Sequence, residues 1–178
     1  MKKPLTQMER VSMEKYVDHS MDIRGFKSFV KEHRENHGVL YRGIRLHESL
    51  IEAGEVIEHY EPLLSCSEDI EVSHVFALNG IVPEDIVLEK LKELGLDDTH
   101  FDDIYHQFKP VVLELHGVKG VRILDYLEDD YEYASEKEVV ALNEPLVIQE
   151  IHLRKTRFNE TYYLLVATLL GEELEEIA

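Results

Sequence analysis

The sequence predicts an α+β domain, and three observations carry that prediction. Helical periodicity fills the first 35 residues and recurs in short segments before residue 110. Strand-like apolar runs dominate from residue 110 onward. Helices and strands do not alternate regularly, as a doubly wound parallel sheet would require. At 178 residues the chain suits a single domain spanning 1–178, with a helical insert at about 79–109.

Residues 5–35 predict two helices. Met8, Val11, Met13 and Tyr16 share roughly one apolar face. Ile23, Phe26, Phe29 and Val30 share another, at i, i+3, i+6 and i+7. Gly25 is a candidate break between them, and Gly38 a candidate C-terminal stop. This layer reads as packing rather than as a site.

Val39–Leu46 reads as a strand with Leu40, Arg42, Ile44 and Leu46 on one side. Val39, Tyr41, Gly43 and Arg45 take the other. Arg42 therefore lies among apolar neighbours, where a guanidinium has to pair with a carboxylate or bind an anion. Gly43 lacks a side chain, which would let a ligand approach the backbone.

Leu63–Ser67 predicts a strand running into a helix with Val72, Val75 and Phe76 as its apolar stripe. Ser65 and Ser67 share a side of that strand. Either Ser67 alone or Ser65 with Glu68 in a capping box would suit the helix start, and Glu68-Asp69 favours its dipole.

In the insert, Pro83 at the first helical position, then Ile86, Val87, Leu88, Leu91 and Leu94, and Gly95 as stop, mark a helix. Asp97–Phe108 holds room for a second, and Pro110 is expected to end the segment. Val111–Leu115 and Val121–Leu124 read as strands joined by a Gly117–Gly120 turn. Leu146–Ile151 and Tyr162–Leu169 supply two more. The last is almost wholly apolar, hence central. The acidic tail Glu172–Glu176 is expected to fray.

The formal net charge of −18 argues against nucleic acid and anionic membrane, both of which need basic patches. It leaves a basic protein partner, or simple solubility. The single cysteine, Cys66, excludes an internal disulfide and a Cys-based zinc site. His33 and His37 have i, i+4 spacing, but Arg34 stands where a zincin needs Glu. No metal is expected. There is no Walker A loop, GxGxxG or nucleophile elbow. No run of about 18 apolar residues exists. The basic start has no apolar h-region, so a soluble cytosolic protein, or one delivered into a host cytosol, is expected.

The chemistry-bearing stretch is Glu136-Lys137-Glu138. If Glu136–Leu142 is a strand, Glu136 and Glu138 face one way and Lys137 the other. Two carboxylates aimed together suit chemistry in which positive charge develops on a sugar. The competing reading is a solvated acidic surface with Asp129, Asp130 and Glu132.

Three pieces stand in order: Tyr41-Arg42-Gly43 on a strand, Ser65-Cys66-Ser67 before a helix ending Phe76-Ala77, and Glu136-Lys137-Glu138-Val139. The ordered set resembles the Arg-Ser-Glu class of mono-ADP-ribosyltransferases, which includes bacterial exoenzymes and phage-encoded host-modifying enzymes. His116–Ile123 resembles that family's strand–turn–strand before its Glu-x-Glu loop. The region from Tyr16 to Arg24, with the helix after it, resembles its N-terminal helices.

The resemblance implies two roughly perpendicular small sheets forming a cleft, with the N-terminal helices beside it. It implies NAD as substrate and an arginine of a target protein as acceptor. Arg42 would hold the NAD phosphates and ribose, and the Gly43 backbone would meet the nicotinamide amide. Ser65 would brace the site with Ser67 nearby. Glu138 would be the catalytic Glu and Glu136 would engage the acceptor. Leu127–Ser135, with Tyr131 and Tyr133, would recognise the target. Two departures stand out: Cys66 replaces the middle residue of the family's Ser-Thr-Ser, and no basic residue lies between His74 and Lys90. An NAD glycohydrolase, or a non-catalytic binding domain of the same fold, are the alternatives.

Overall fold

The protein is described by a computed structural model covering residues 2–17, 24–59, 61–128 and 134–171. The N-terminal periodicity forms α1 (Gln7–Val17) and α2 (Arg24–His33). Thr6 and Glu9 make a reciprocal capping box at the start of α1: Thr6 Oγ1 accepts from the Glu9 amide at 3.1 Å, and Glu9 Oε1 accepts from the Thr6 amide at 2.9 Å. Gly25 does not break a helix. It lies in the first turn of α2, where a Cβ would come 2.5 Å from Ser12 Oγ of α1. The two helices bury Met13, Val17, Phe26, Phe29 and Val30 on one half of the sheet, against Leu63, Val121, Ile123 and Val140.

The remaining elements are β1 (Glu35–Asn36), β2 (Leu40–His47), β3 (Val56–Ile57), β4 (Leu63–Ser67), α3 (Ile70–Asn79), α4 (Glu84–Glu93), α5 (Phe101–Tyr105), β5 (Phe108–His116), β6 (Lys119–Arg122), β7 (Glu138–Leu142), β8 (Leu146–Lys155) and β9 (Thr161–Leu169). Among the described residues the strands form one nine-stranded sheet, in the order β1-β6-β7-β4-β2-β5-β9-β8-β3. The two separate sheets anticipated above are replaced by one sheet with a seam. β2 pairs with β5 along its whole length, from Leu40/Leu115 to His47/Phe108. With β4 it shares a single pair, Tyr41/Ser67.

β9 is central, lying between β5 and β8 and parallel to β5. Its apolar run packs Leu165 and Ala167 into a core with Leu40, Leu113, Leu115, Leu146 and Ile148. The insert forms its own small core from Val82, Val87, Leu91, Ile104 and Phe108. Pro83 caps α4 rather than opening it, and Gly95 follows at φ +68°.

Several expectations are corrected. Gly38 does not stop a helix: α2 ends at His33, β1 follows, and the Gly38 amide donates to Asn36 Oδ1 in a turn. Pro110 lies inside β5, opposite Arg45. It is tolerated because β9 pairing begins only at Val111, so its missing N–H faces no ladder partner on that side. β5 and β6 are not a hairpin. The Gly117 turn, at φ +75°, sends the chain from one half of the sheet to the other. Residues 172–178, which hold the acidic stretch expected to fray, and residues 129–133 lie outside the described residues. Among the described residues, no helix is long and apolar enough to cross a membrane.

The face of α3 also differs from expectation. Its buried residues are Ser73 and Ala77, whereas Val75 and Phe76 are 57% and 46% exposed. The cause is Gly43. A Cβ there would lie 2.0 Å from Ser73 O and 2.6 Å from the Ala77 amide nitrogen. The helix backbone thus rests directly on β2, which only small residues permit. Gly43→Ala is expected to push α3 off the strand and destabilise the protein by about 3 kcal/mol, read as a lower urea midpoint.

Candidate active site

The seam between β2 and β4 is where the predicted site residues meet. β4 and β7 pair in register, Ser65 with Val140 and Ser67 with Glu138. Ser65 therefore stands diagonally across from Glu138, within reach of its side chain. Ser65 Oγ donates a short hydrogen bond to Glu138 Oε2. A second donor reaches the same oxygen from the helical layer: Tyr16 Oη, at 2.8 Å.

Glu136 is not on the strand. It ends a 3-10 turn, Ala134–Glu136, and Lys137 then takes φ +48° before β7 begins at Glu138. The alternation argument for the two carboxylates fails for that reason. Both still line the same cleft. Ser67 fixes this turn. Its Oγ donates to Glu136 O at 2.9 Å and accepts from the Asp69 amide at 3.0 Å. Neither Ser67 nor Ser65 caps α3. Asp69 does so, its side chain accepting from the Glu71 amide at 3.0 Å.

Arg42 is 8% exposed and spans the seam. Nη1 donates to Ser65 O at 3.0 Å, and Nη2 lies 3.0 Å from Glu61 Oε2. Nε is buried with no acceptor among the described residues. The Glu61 segment is anchored in turn by Asn143, whose Nδ2 donates to the carbonyls of His59 and Glu61 at 2.7 and 2.5 Å. His59 is pushed from the ordinary 6.5 down to about 3, first by burial and then by the Arg42 charge. Gly43 lines the cleft, but the close approach at its missing side chain is made by α3.

The cleft holds about 280 Å³. Its polar part comes from Arg42, Glu61, Ser65, Glu136 and Glu138, its apolar part from Val72, Phe76 and Ile81. Phe76 and Ile81 are 46% and 81% exposed, an apolar rim consistent with a ligand that stacks. Arg45 also lines it. That guanidinium donates to Leu78 O at 2.7 Å at the end of α3, and among the described residues no carboxylate pairs with it. Residues 75–89 hold no Lys or Arg, and Arg45, from β2, is a second guanidinium at the cleft beside Arg42. Cys66 is buried in the sheet core at the wall of the cleft, with its thiol pushed up to about 12 by burial. Among the described residues, no group of three His, Cys, Asp or Glu is placed to hold a metal. His33 instead lies 3.3 Å from Glu9.

Sequence reasoning missed Tyr16, Glu61, His59 and Arg45. Tyr16 carried one signal, a polar tip on an otherwise apolar helix face. Glu61 and His59 carried none, since their roles depend on where Arg42 lands. Arg45 was visible only as the residue on the opposite side of the Arg42 strand.

No known protein family matches the chain at the sequence level, and no curated protein does. Solved structures do resemble it. Exoenzyme S from Pseudomonas aeruginosa, solved with human 14-3-3 protein beta and bound to carba-NAD, matches at TM-score 0.46 and 11% identity, over 95% of this chain and 71% of that one. The ADP-ribosyltransferase HopU1 of Pseudomonas syringae matches at TM-score 0.44 and 14% identity, over 94% of this chain and 61% of that one. The enzymatic component C2-I of the Clostridium botulinum C2 toxin matches at 0.46 and 12%, over 93% of this chain and 44% of that one. The chain thus spans less than two thirds of HopU1 and of C2-I.

The part-buried His59 gives the site a pH signature. Its folded pKa is depressed, so between about 6.5 and 3 the unfolded chain binds a proton that the folded one refuses. Stability therefore falls as pH drops through that window. His59→Gln should flatten the slope of unfolding free energy against pH there by up to ~1.4 kcal/mol per pH unit, measured by urea unfolding at stepped pH.

Proposed function

We propose that the protein is a mono-ADP-ribosyltransferase that cleaves NAD and transfers ADP-ribose to an arginine of a target protein. One observation carries the reading: Arg42, Ser65 and Glu138, far apart in sequence and on three different strands, meet at one cleft that Glu136 also lines. A solvated acidic surface does not require a serine hydroxyl and a buried guanidinium beside its carboxylates. The ordered resemblance of these motifs to the Arg-Ser-Glu class supports the same reading.

The chemistry suits these groups. When the nicotinamide–ribose bond breaks, its electron pair leaves with nicotinamide, which departs neutral and needs no general acid. Positive charge develops on the ribose C1′, as in glycoside hydrolysis. The Glu138 carboxylate, held by Ser65, is preorganised to stabilise that charge and to accept from a ribose hydroxyl. Arg42 and Arg45 both line the cleft, and among the described residues no carboxylate pairs with Arg45; two guanidinium groups at one cleft fit the diphosphate. Glu61 already neutralises one edge of Arg42, so this guanidinium both closes the seam and faces the anion. A guanidinium nitrogen of the acceptor then bonds to C1′ and gives up a proton. Glu136 is suited to orient that guanidinium and take the proton. The target-recognition role falls to Leu127–Ser135, the segment leading into the Glu136 turn, of which Tyr131 and Tyr133 lie outside the described residues.

Incubation with biotinylated NAD and a cell lysate tests the reading. The wild type should label protein and release nicotinamide, and Glu138→Gln should lower both by about a thousandfold. Labelling by wild type and Glu138→Gln to the same extent would refute it. Glu136→Gln separates transfer from hydrolysis. It should lose protein labelling, read on an avidin blot, while nicotinamide release, read by chromatography, persists. Nicotinamide release without labelling by the wild type would identify a glycohydrolase instead.

A further inference from the structure

We propose that Tyr16 is a positioning residue for the cleft carboxylate, making the N-terminal helical layer part of the working site. The inference rests on the transferase reading only for its kinetic consequence. Its structural basis stands apart from that reading.

Tyr16 occupies the last turn of α1, and its hydroxyl donates to Glu138 Oε2 at 2.8 Å across 122 residues of sequence. Ser65 donates to that same oxygen. Two donors converging on Oε2 fix the rotation of the carboxyl group, and neither of them bonds Oε1. Oε1 is then the oxygen left for a substrate hydroxyl. The donor is itself held rigidly. The Tyr16 ring stacks on Phe26 of α2 at 4.5 Å between centroids, and Phe26 stacks on Phe29 at 6.0 Å. Phe26 and Met13 are fully buried beneath it. Burial, and next the Glu138 charge, raise the Tyr16 pKa. The phenol therefore stays protonated, as a donor must, across the whole working range.

The packing role alone does not need the hydroxyl. A phenylalanine would fill the same stack, and a buried phenol without an acceptor would be costly. The hydroxyl is matched to the carboxylate. Among the described residues, the other charged or titratable groups lining the cleft with Glu138 are Tyr41, Arg42 and Arg45 from β2, Glu61 ahead of β4, Cys66 from β4 and Glu136 of the preceding turn. None of them lies on α1, so Tyr16 can be altered with the rest in place.

Tyr16→Phe is the test, with two readouts. In the NAD assay, kcat for nicotinamide release is expected to fall about tenfold, with KM for NAD nearly unchanged. The acid limb of its pH profile is expected to move upward, because a donor to the ionised carboxylate is gone. Independently of any activity, protein carrying δ-13C glutamate is titrated by NMR, with Glu138→Gln identifying the resonance. The Glu138 carboxyl signal of Tyr16→Phe should titrate at higher pH than that of the wild type. An unchanged NMR titration overturns the proposal, whatever the kinetics show. A moved titration in a protein that consumes no NAD would keep Tyr16 as the positioner of this carboxylate and sink the transferase reading instead.

Discussion

The Arg42 side chain bridging β2 and β4 is the contact on which the site depends. The two strands share one backbone pair, at Tyr41/Ser67, and then part. Beyond it a ladder would leave carbonyls unpaired, and a buried carbonyl without a donor is costly. Arg42 supplies the missing donor to Ser65 O and balances its own charge with Glu61. A guanidinium can do both because its donors spread in a planar fork. The sheet can therefore open into a cleft without losing continuity, and the opening is where Ser65 and Glu138 are exposed to a ligand.

Around that opening, small side chains determine geometry more than large ones. Gly43 lets the backbone of α3 settle on β2, with Ser73 and Ala77 at the contact. Because the small face is buried, the larger Val72 and Phe76 turn toward the cleft and make its apolar wall. Ser67 then ties the start of α3 to the turn that carries Glu136. One glycine and one serine thus link the position of a helix to that of an acidic side chain.

Much of the fold was legible locally. β4 falls where period-two reading put it, and β9 is central, as an unbroken apolar run requires. The same rule placed Arg42 on the face it shares with Leu40 and Leu46. The rule failed at Glu136, because a left-handed Lys137 interrupts the strand, and a positive φ at lysine has no signature in sequence. It also misjudged α3, whose apolar side faces a cavity rather than a core. Cleft-lining and core-facing stripes look alike in periodicity.

The sequence by itself determined which segments are helix or strand and which residue types are available for chemistry: a guanidinium among apolar neighbours, alternating serines, and paired acids. These follow from local periodicity and side-chain character, which neighbours in the chain settle among themselves. Tertiary structure alone decided the seam, the Glu61 partner of Arg42, the place of Arg45 at the end of α3 and the reach of Tyr16 to Glu138. Each of these joins residues distant along the chain, and such contacts are set by strand order and close packing, which no local pattern encodes.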